Sequence, residues 1–185
     1  MLLKEASTTE QWVVKPPQTT ELSKITANIC HDAIEKARIK MKPKKQSLPL
    51  TALMQQRSYL EYFKFELAAR VAQEIGANDT HVQAVYYFDP YENPDATTET
   101  ELPVDPTVNL LVEVTANSPA LKAYIEAIDK ALTYTMHDDF PDSRFSRKET
   151  LTNVILITED DIQNRRGYAA AIGSIYTPHR KIWAR

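Results

Sequence analysis

Glycine is scarce in this sequence of 185 residues. Only Gly76, Gly167 and Gly173 occur, where average usage near ~7% would supply about thirteen. Loops that wrap a pyrophosphate need glycine for positive φ and close backbone approach. Neither G-x-G-x-x-G nor G-x-x-x-x-G-K-[ST] is present, which excludes Rossmann-type dinucleotide binding and P-loop chemistry. Cysteine is scarcer still. Cys30 alone rules out an internal disulfide framework and a cysteine-rich metal site. It falls in a helical pattern, which points to a buried, inert thiol. The opening Met1-Leu2-Leu3-Lys4-Glu5 has no apolar core of signal-peptide length, and no run approaches the ~18 apolar residues of a membrane span. The expectation is a soluble, cytoplasmic protein without membrane association.

Apolar residues at 43% and charged residues at 25% place the chain with ordinary globular proteins and not with disordered ones. Its length suits one compact domain with a helical appendage, divided as an N-terminal segment and helix over 1–50 and an α+β domain over 51–185. The formal net charge of -3 gives no global drive towards nucleic acid. The charge is unevenly spread, however. Residues 1–50 carry nine Lys/Arg against five Asp/Glu, and residues 89–105 carry six acids and no basic residue.

Residues 1–20 read as irregular, with Lys15-Pro16-Pro17 set against a helix there. Thr20 can cap a helix from Glu21 to about Lys40, with Leu22, Ile25, Ile29, Ala33 and Ala37 on one face. A basic linker over 40–45 leads to a second helix from about Thr51 to Ile75, whose stripe is Leu53, Leu60, Phe63, Leu67 and Val71 and whose stop signal is Gly76 with Asn78. Val82 to Phe88 is short, β-branched and aromatic, and reads as a strand. Residues 89–106 hold four prolines and six acids, a loop long enough to be either mobile or functional. A strand over 107–115 follows. Asn117-Ser118-Pro119 opens a helix to about Met136 with Leu121, Ile125, Ile128 and Leu132 on its apolar face. After a polar segment, 137–150, comes a strand over 151–158, and Thr158-Glu159-Asp160-Asp161 is a capping signature. A final edge strand is expected near Lys181-Ile182-Trp183. The fold class that follows is α+β: a small mixed sheet with helices packed on one side, preceded by two helices.

Over roughly residues 60–160 this order resembles the minimal core of the nucleotidyltransferase superfamily. That core has a helix, a strand ending in Gly-Ser, a strand beginning Asp-x-Asp, a helix, and a strand bearing a third acid. The matching strands are Val85-Tyr86-Tyr87-Phe88, Asn109-Leu110-Leu111-Val112 and Asn153-Val154-Ile155-Leu156. The resemblance implies two magnesium ions held by three carboxylates, since divalent cations need hard, anionic oxygens. Here the Asp-x-Asp positions are Thr107 and Asn109, the third is Asn153, and the Gly-Ser cradle is Asp89-Pro90. Glu113 shares a strand face with Thr107, Asn109 and Leu111. Asp89, Thr107, Asn109, Glu113 and Asn153 are therefore the candidate degenerate site, with no catalytic residue, metal or cofactor expected.

The remaining constellations are weaker. His31-Asp32 and His137-Asp138 supply no complete metal set in a chain with three strands, and no nucleophile-elbow motif accompanies any serine. Two basic regions, Lys40, Lys42, Lys44 and Lys45, and Arg144, Arg147, Lys148, Arg165, Arg166, Arg180, Lys181 and Arg185, could track phosphates if they converged. The expected function is a non-catalytic module, a pseudoenzyme that binds a protein partner or itself. The alternatives are a nucleotidyl- or phosphotransfer enzyme with relocated carboxylates and a nucleic-acid-binding module.

Overall fold

The computed structural model describes residues 19–88, 105–141, 143, 145, 148–175 and 179–185. The expected acidic loop, apart from Asp105 and Pro106, lies outside them, as do Asp89, Arg144 and Arg147.

Four strands form an open mixed sheet in the order β3-β2-β1-β4. β1 (Val82–Phe88) pairs antiparallel with β2 (Val108–Val114) and with β4 (His179–Ala184), and β2 pairs parallel with β3 (Thr152–Thr158). The parallel pair needs a crossover, and α5 (Pro119–Asp139) supplies it. Its start follows the sequence closely: Ser118 Oγ accepts from the Leu121 N–H at 3.2 Å, and Pro119 occupies the first turn.

Alternation along each strand sorts the sheet into two faces. Val82, Val85, Tyr87, Val108, Leu110, Val112 and Val114 join the main core with α1 (Thr19–Lys40), α4 (Arg57–Asn78) and α5. All five positions of the stripe expected for the second helix are buried, and Thr26 of α1 touches Thr135 of α5 at 3.3 Å inside the same core. The N-terminal helix thus packs as an integral wall. On the opposite face Ala84, Tyr86, Leu111 and Ile157 form a smaller cluster with Ala169. The covering chain is α6 (Glu159–Gln163) and the 3-10 turn Gly167–Ala171. Thr158 and Asp161 close a full capping box at the start of α6, as the sequence motif requires.

Several boundaries differ from the sequence reading. The basic linker contains a helical turn, α2 (Pro43–Gln46), with proline at its start. The second helix is broken into α3 (Leu50–Leu53) and α4. Residues 54–56 are good helix formers, but tertiary contacts override propensity: Leu53 and Met54 are buried, and Arg38 Nη1 ties down the Gln46 and Leu48 carbonyls at 2.9 and 2.8 Å. Gly76 does not stop α4, which runs to Asn78. The glycine is there for space, because a Cβ on it would sit 2.4 Å from the Trp183 indole of β4. The helix end is held instead by Arg185, whose Nη2 donates to the Gly76 and Asp79 carbonyls at 2.8 and 2.9 Å. Finally, the segment after α5 is not simply polar, since Phe145 is buried and packs edge-on against Phe63 at 5.0 Å.

Candidate functional site

Asn109 and Asn153 are register partners on the parallel β2–β3 pair. The Asn153 Nδ2 donates to the Asn109 Oδ1 at 3.0 Å, with the pair on the sheet face away from the long helices. Next along that face come Leu111 beside Ile155 and then Glu113 beside Ile157. Asn109, Asn153, Phe88, Leu111, Ile155 and Tyr168 line a shallow dimple of about 30 Å³, the size of a water or two. Tyr168, from the 3-10 turn, is exposed beside it.

Glu113 is brought onto the same face but is already engaged. Its Oε2 accepts from the Tyr86 hydroxyl at 3.2 Å. The Lys181 Nζ stands over the Tyr86 ring, 5.3 Å from its centroid, because Tyr86 and Lys181 are register partners on β1 and β4. Burial and then the Glu113 carboxylate push the Tyr86 phenol above its ordinary pKa, and Lys181 partly opposes them. The phenol is a fixed donor at neutral pH. Glu113 thus has one carboxylate oxygen engaged by Tyr86, which Lys181 in turn overlies.

Thr107 falls just before β2, where its N–H donates to Asp105 Oδ1 at 3.0 Å. Asp105 also pairs with Lys148 at 3.3 Å. Burial works against the Asp105 charge, but the Thr107 donors and Lys148 outweigh it and hold the carboxyl below its usual range. Of the five candidate residues, the structure brings Asn109, Asn153 and Glu113 to one face, with Thr107 at its lip. Asp89 lies outside the described residues.

These residues do not fit a pair of divalent cations. Asn109 spends its carbonyl on Asn153, Thr107 is neutral, and Glu113 is the one anion on the face among the described β2 and β3 residues. Among the described residues no three His, Cys, Asp or Glu side chains gather into a metal set. Asp32 of the first His-Asp pair is bound to Arg70 at 3.0 Å, and His31 is exposed beside it. The basic regions are also largely occupied. Lys40 pairs with Glu66, Arg166 with Asp160 at 2.7 Å, and Arg180 stands over Phe65. No helix of the described residues is long and apolar enough to cross a membrane.

The sequence reading missed Asp129. It sits at the buried junction of α5 and β3, where one oxygen, Oδ1, accepts from the Leu151 N–H at 2.9 Å, the Thr152 N–H at 2.6 Å and the Thr152 hydroxyl at 2.8 Å. Its signal was available, since it is an acid four residues after Ile125 on an otherwise apolar helix face. The Tyr86–Lys181 contact had no comparable signal, because it depends on a β1–β4 pairing between strands ninety-odd residues apart in the chain. Compared with protein-family models, curated proteins and solved structures, the chain matches none.

Proposed function

We propose that this chain is a non-catalytic protein on a nucleotidyltransferase-like core, serving to bind a protein partner or a second copy of itself. The observation that carries the reading is the amide pair, Asn109 with Asn153, at the two strand positions where the resemblance calls for carboxylates. The element order supports it: a helix, β1, an antiparallel β2, a crossover helix and a parallel β3. Phosphoryl and nucleotidyl transfer require charge stabilisation by cations held on anionic oxygens. An amide oxygen already accepting a hydrogen bond contributes no net charge to such a site. Glu113, the acid nearest the pair along β2, is bound to Tyr86.

The test is calorimetric titration with magnesium and each nucleoside triphosphate, with an assay for pyrophosphate release. No saturable heat and no pyrophosphate are expected. Micromolar binding abolished by Glu113→Ala would overturn the reading, because it would show that the carboxylates had moved and had not been lost.

A further inference from the structure

We infer that β3 is a self-association edge, pairing antiparallel with β3 of a second copy of this chain about a two-fold axis at Ile155. The inference deepens the reading of the chain as an association module by naming the partner and the surface.

The two edges of the sheet are unlike. β4 carries Arg180 and Lys181 and is bulged against β1 between Val85 and Tyr86, which are common protections of a free edge. β3 reads Thr-Asn-Val-Ile-Leu-Ile-Thr, with no charge, proline or glycine. Val154, Ile155 and Leu156 are only half-buried there.

The backbone phase of that edge is self-complementary. The Val108 N–H donates to the Leu151 carbonyl at 2.8 Å, and Val108 is the register partner of Thr152. In a parallel ladder this phase turns the N–H and C=O of Asn153, Ile155 and Ile157 towards β2, and those of Thr152, Val154, Leu156 and Thr158 towards the free side. The Thr152 and Thr158 N–H groups are already taken by Asp129 and Asp161, at 2.6 and 2.9 Å. Among the described residues the open stretch is therefore Val154 and Leu156, with Ile155 between them. A two-fold at Ile155 sets Val154 of one copy opposite Leu156 of the other, and the reverse. With their N–H and C=O turned outward these two facing pairs are of the hydrogen-bonded type, each exchanging two bonds, while Ile155 faces Ile155 without any, so four bonds form. The carboxylates at either end stop the pairing there and keep the interface short.

The side chains obey the same symmetry. On the helix face, Val154 and Leu156 line a groove of about 380 Å³ with Asn117, Lys122, Ile125 and Glu126 of α5. Because α5 returns the chain between two parallel strands, it runs opposite to β3. Lys122 is therefore towards the Leu156 end and Glu126 towards the Val154 end. The two-fold that joins Val154 to Leu156 brings Lys122 of each copy towards Glu126 of the other. Both residues are exposed, and neither has an ion-pair partner among the described residues.

Sedimentation velocity of the full chain across the micromolar range tests this, with circular dichroism as a check on folding. The wild type is expected to convert from monomer to dimer with concentration. Lys122→Glu and Glu126→Lys, each on an exposed helix position, should each weaken association about tenfold, as two attractions become repulsions. The combined Lys122→Glu/Glu126→Lys chain should recover it. A monomer throughout, a dimer indifferent to the single reversals, or a failure of the double variant to recover would each overturn the pairing. A monomer that still ignores magnesium-nucleotide would leave the non-catalytic reading standing, whereas a dimer that binds it would overturn that reading alone.

Discussion

Replacing Asp129 by alanine removes the acceptor for two backbone N–H groups and one hydroxyl at the point where β3 begins. Leu151 is wholly buried, so its N–H has no water to turn to. A buried donor left without a partner costs about 1–3 kcal/mol, and hydrogen bonds to a charged acceptor are at the upper end of the range. Counting one such loss in full, the half-buried Thr152 N–H at roughly half, and the hydroxyl as free to find solvent, the cost is about 3–4 kcal/mol. That is a large fraction of the ~5–15 kcal/mol that holds a domain together. With a urea m-value of about 2 kcal/mol/M for a chain of this size, the midpoint should fall by about 1.5–2 M. Asp129→Asn keeps an oxygen in place and loses only the charge, so about a third to a half of the effect is expected. Equilibrium urea unfolding of both variants, with amide exchange read at Leu151 and Thr152, decides it. An Asp129→Ala midpoint within experimental error of wild type would refute the reasoning, since the three bonds would then be worth no more than solvent.

Four further outcomes follow from the packing. Gly76→Ala brings a methyl to 2.4 Å from the Trp183 ring, and the ~1–3 kcal/mol cost of overpacking should exceed a helix-propensity gain of under ~1 kcal/mol, lowering the thermal midpoint. Arg185→Ala frees the Gly76, Asp79 and Val82 carbonyls, so amide exchange in the last turn of α4 should quicken and stability should fall by about 1–2 kcal/mol. The Cys30 thiol, pushed up to about 12 by burial and then by Asp139, should resist a thiol reagent at mildly alkaline pH in the native chain and react promptly once unfolded in urea. The Asp105 carboxyl is held below its ordinary 3.8 when folded. Its stabilising contribution is therefore fully present above that value and is lost as pH falls through the folded one, and urea midpoints measured against pH should show Asp105→Asn flattening that part of the acid limb.

The elements with strong local signals were legible in the sequence. β1 and β2 are short apolar runs, β3 is bounded by Leu151 and a capping box, and α5 announces itself through Ser118 and Pro119. The mixed sheet with its long helices on one face follows from their order, because parallel strands need a crossover. What was illegible depends on contacts far apart in the chain. The break at 54–56 answers to Arg38 and the buried Leu53 and Met54, not to any residue within it. Gly76 read as a stop because glycine often is one, and only the approach of Trp183 from β4 shows that its missing side chain is what is used. At the candidate site, the alternation of β2 correctly put Asn109 and Glu113 on one face. The Tyr86 bond to Glu113 and the place of Lys181 over the Tyr86 ring required the β1–β2 and β1–β4 registers, which no local pattern carries.

The amide pair also bears on why the sheet's second face is covered as it is. Two carboxylates at Asn109 and Asn153 would face each other across a parallel pair and repel unless a cation lay between them. Two amides satisfy one another directly, with a donor on Asn153 and an acceptor on Asn109. Among the described β2 and β3 residues on this face Glu113 is then the one anion, and it accepts from the Tyr86 hydroxyl beneath Lys181. Apolar cover becomes favourable, and Ala169 is buried against Leu111 and Ile157, with Ile162 and Ile172 packed beside them. The hollow beside the amide pair is about 30 Å³ and shallow, with Asn153 and Tyr168 exposed at it. Neutral amides at Asn109 and Asn153, with Asn153 left exposed at one end of the face, thus go with apolar cover further along it over Leu111 and Ile157.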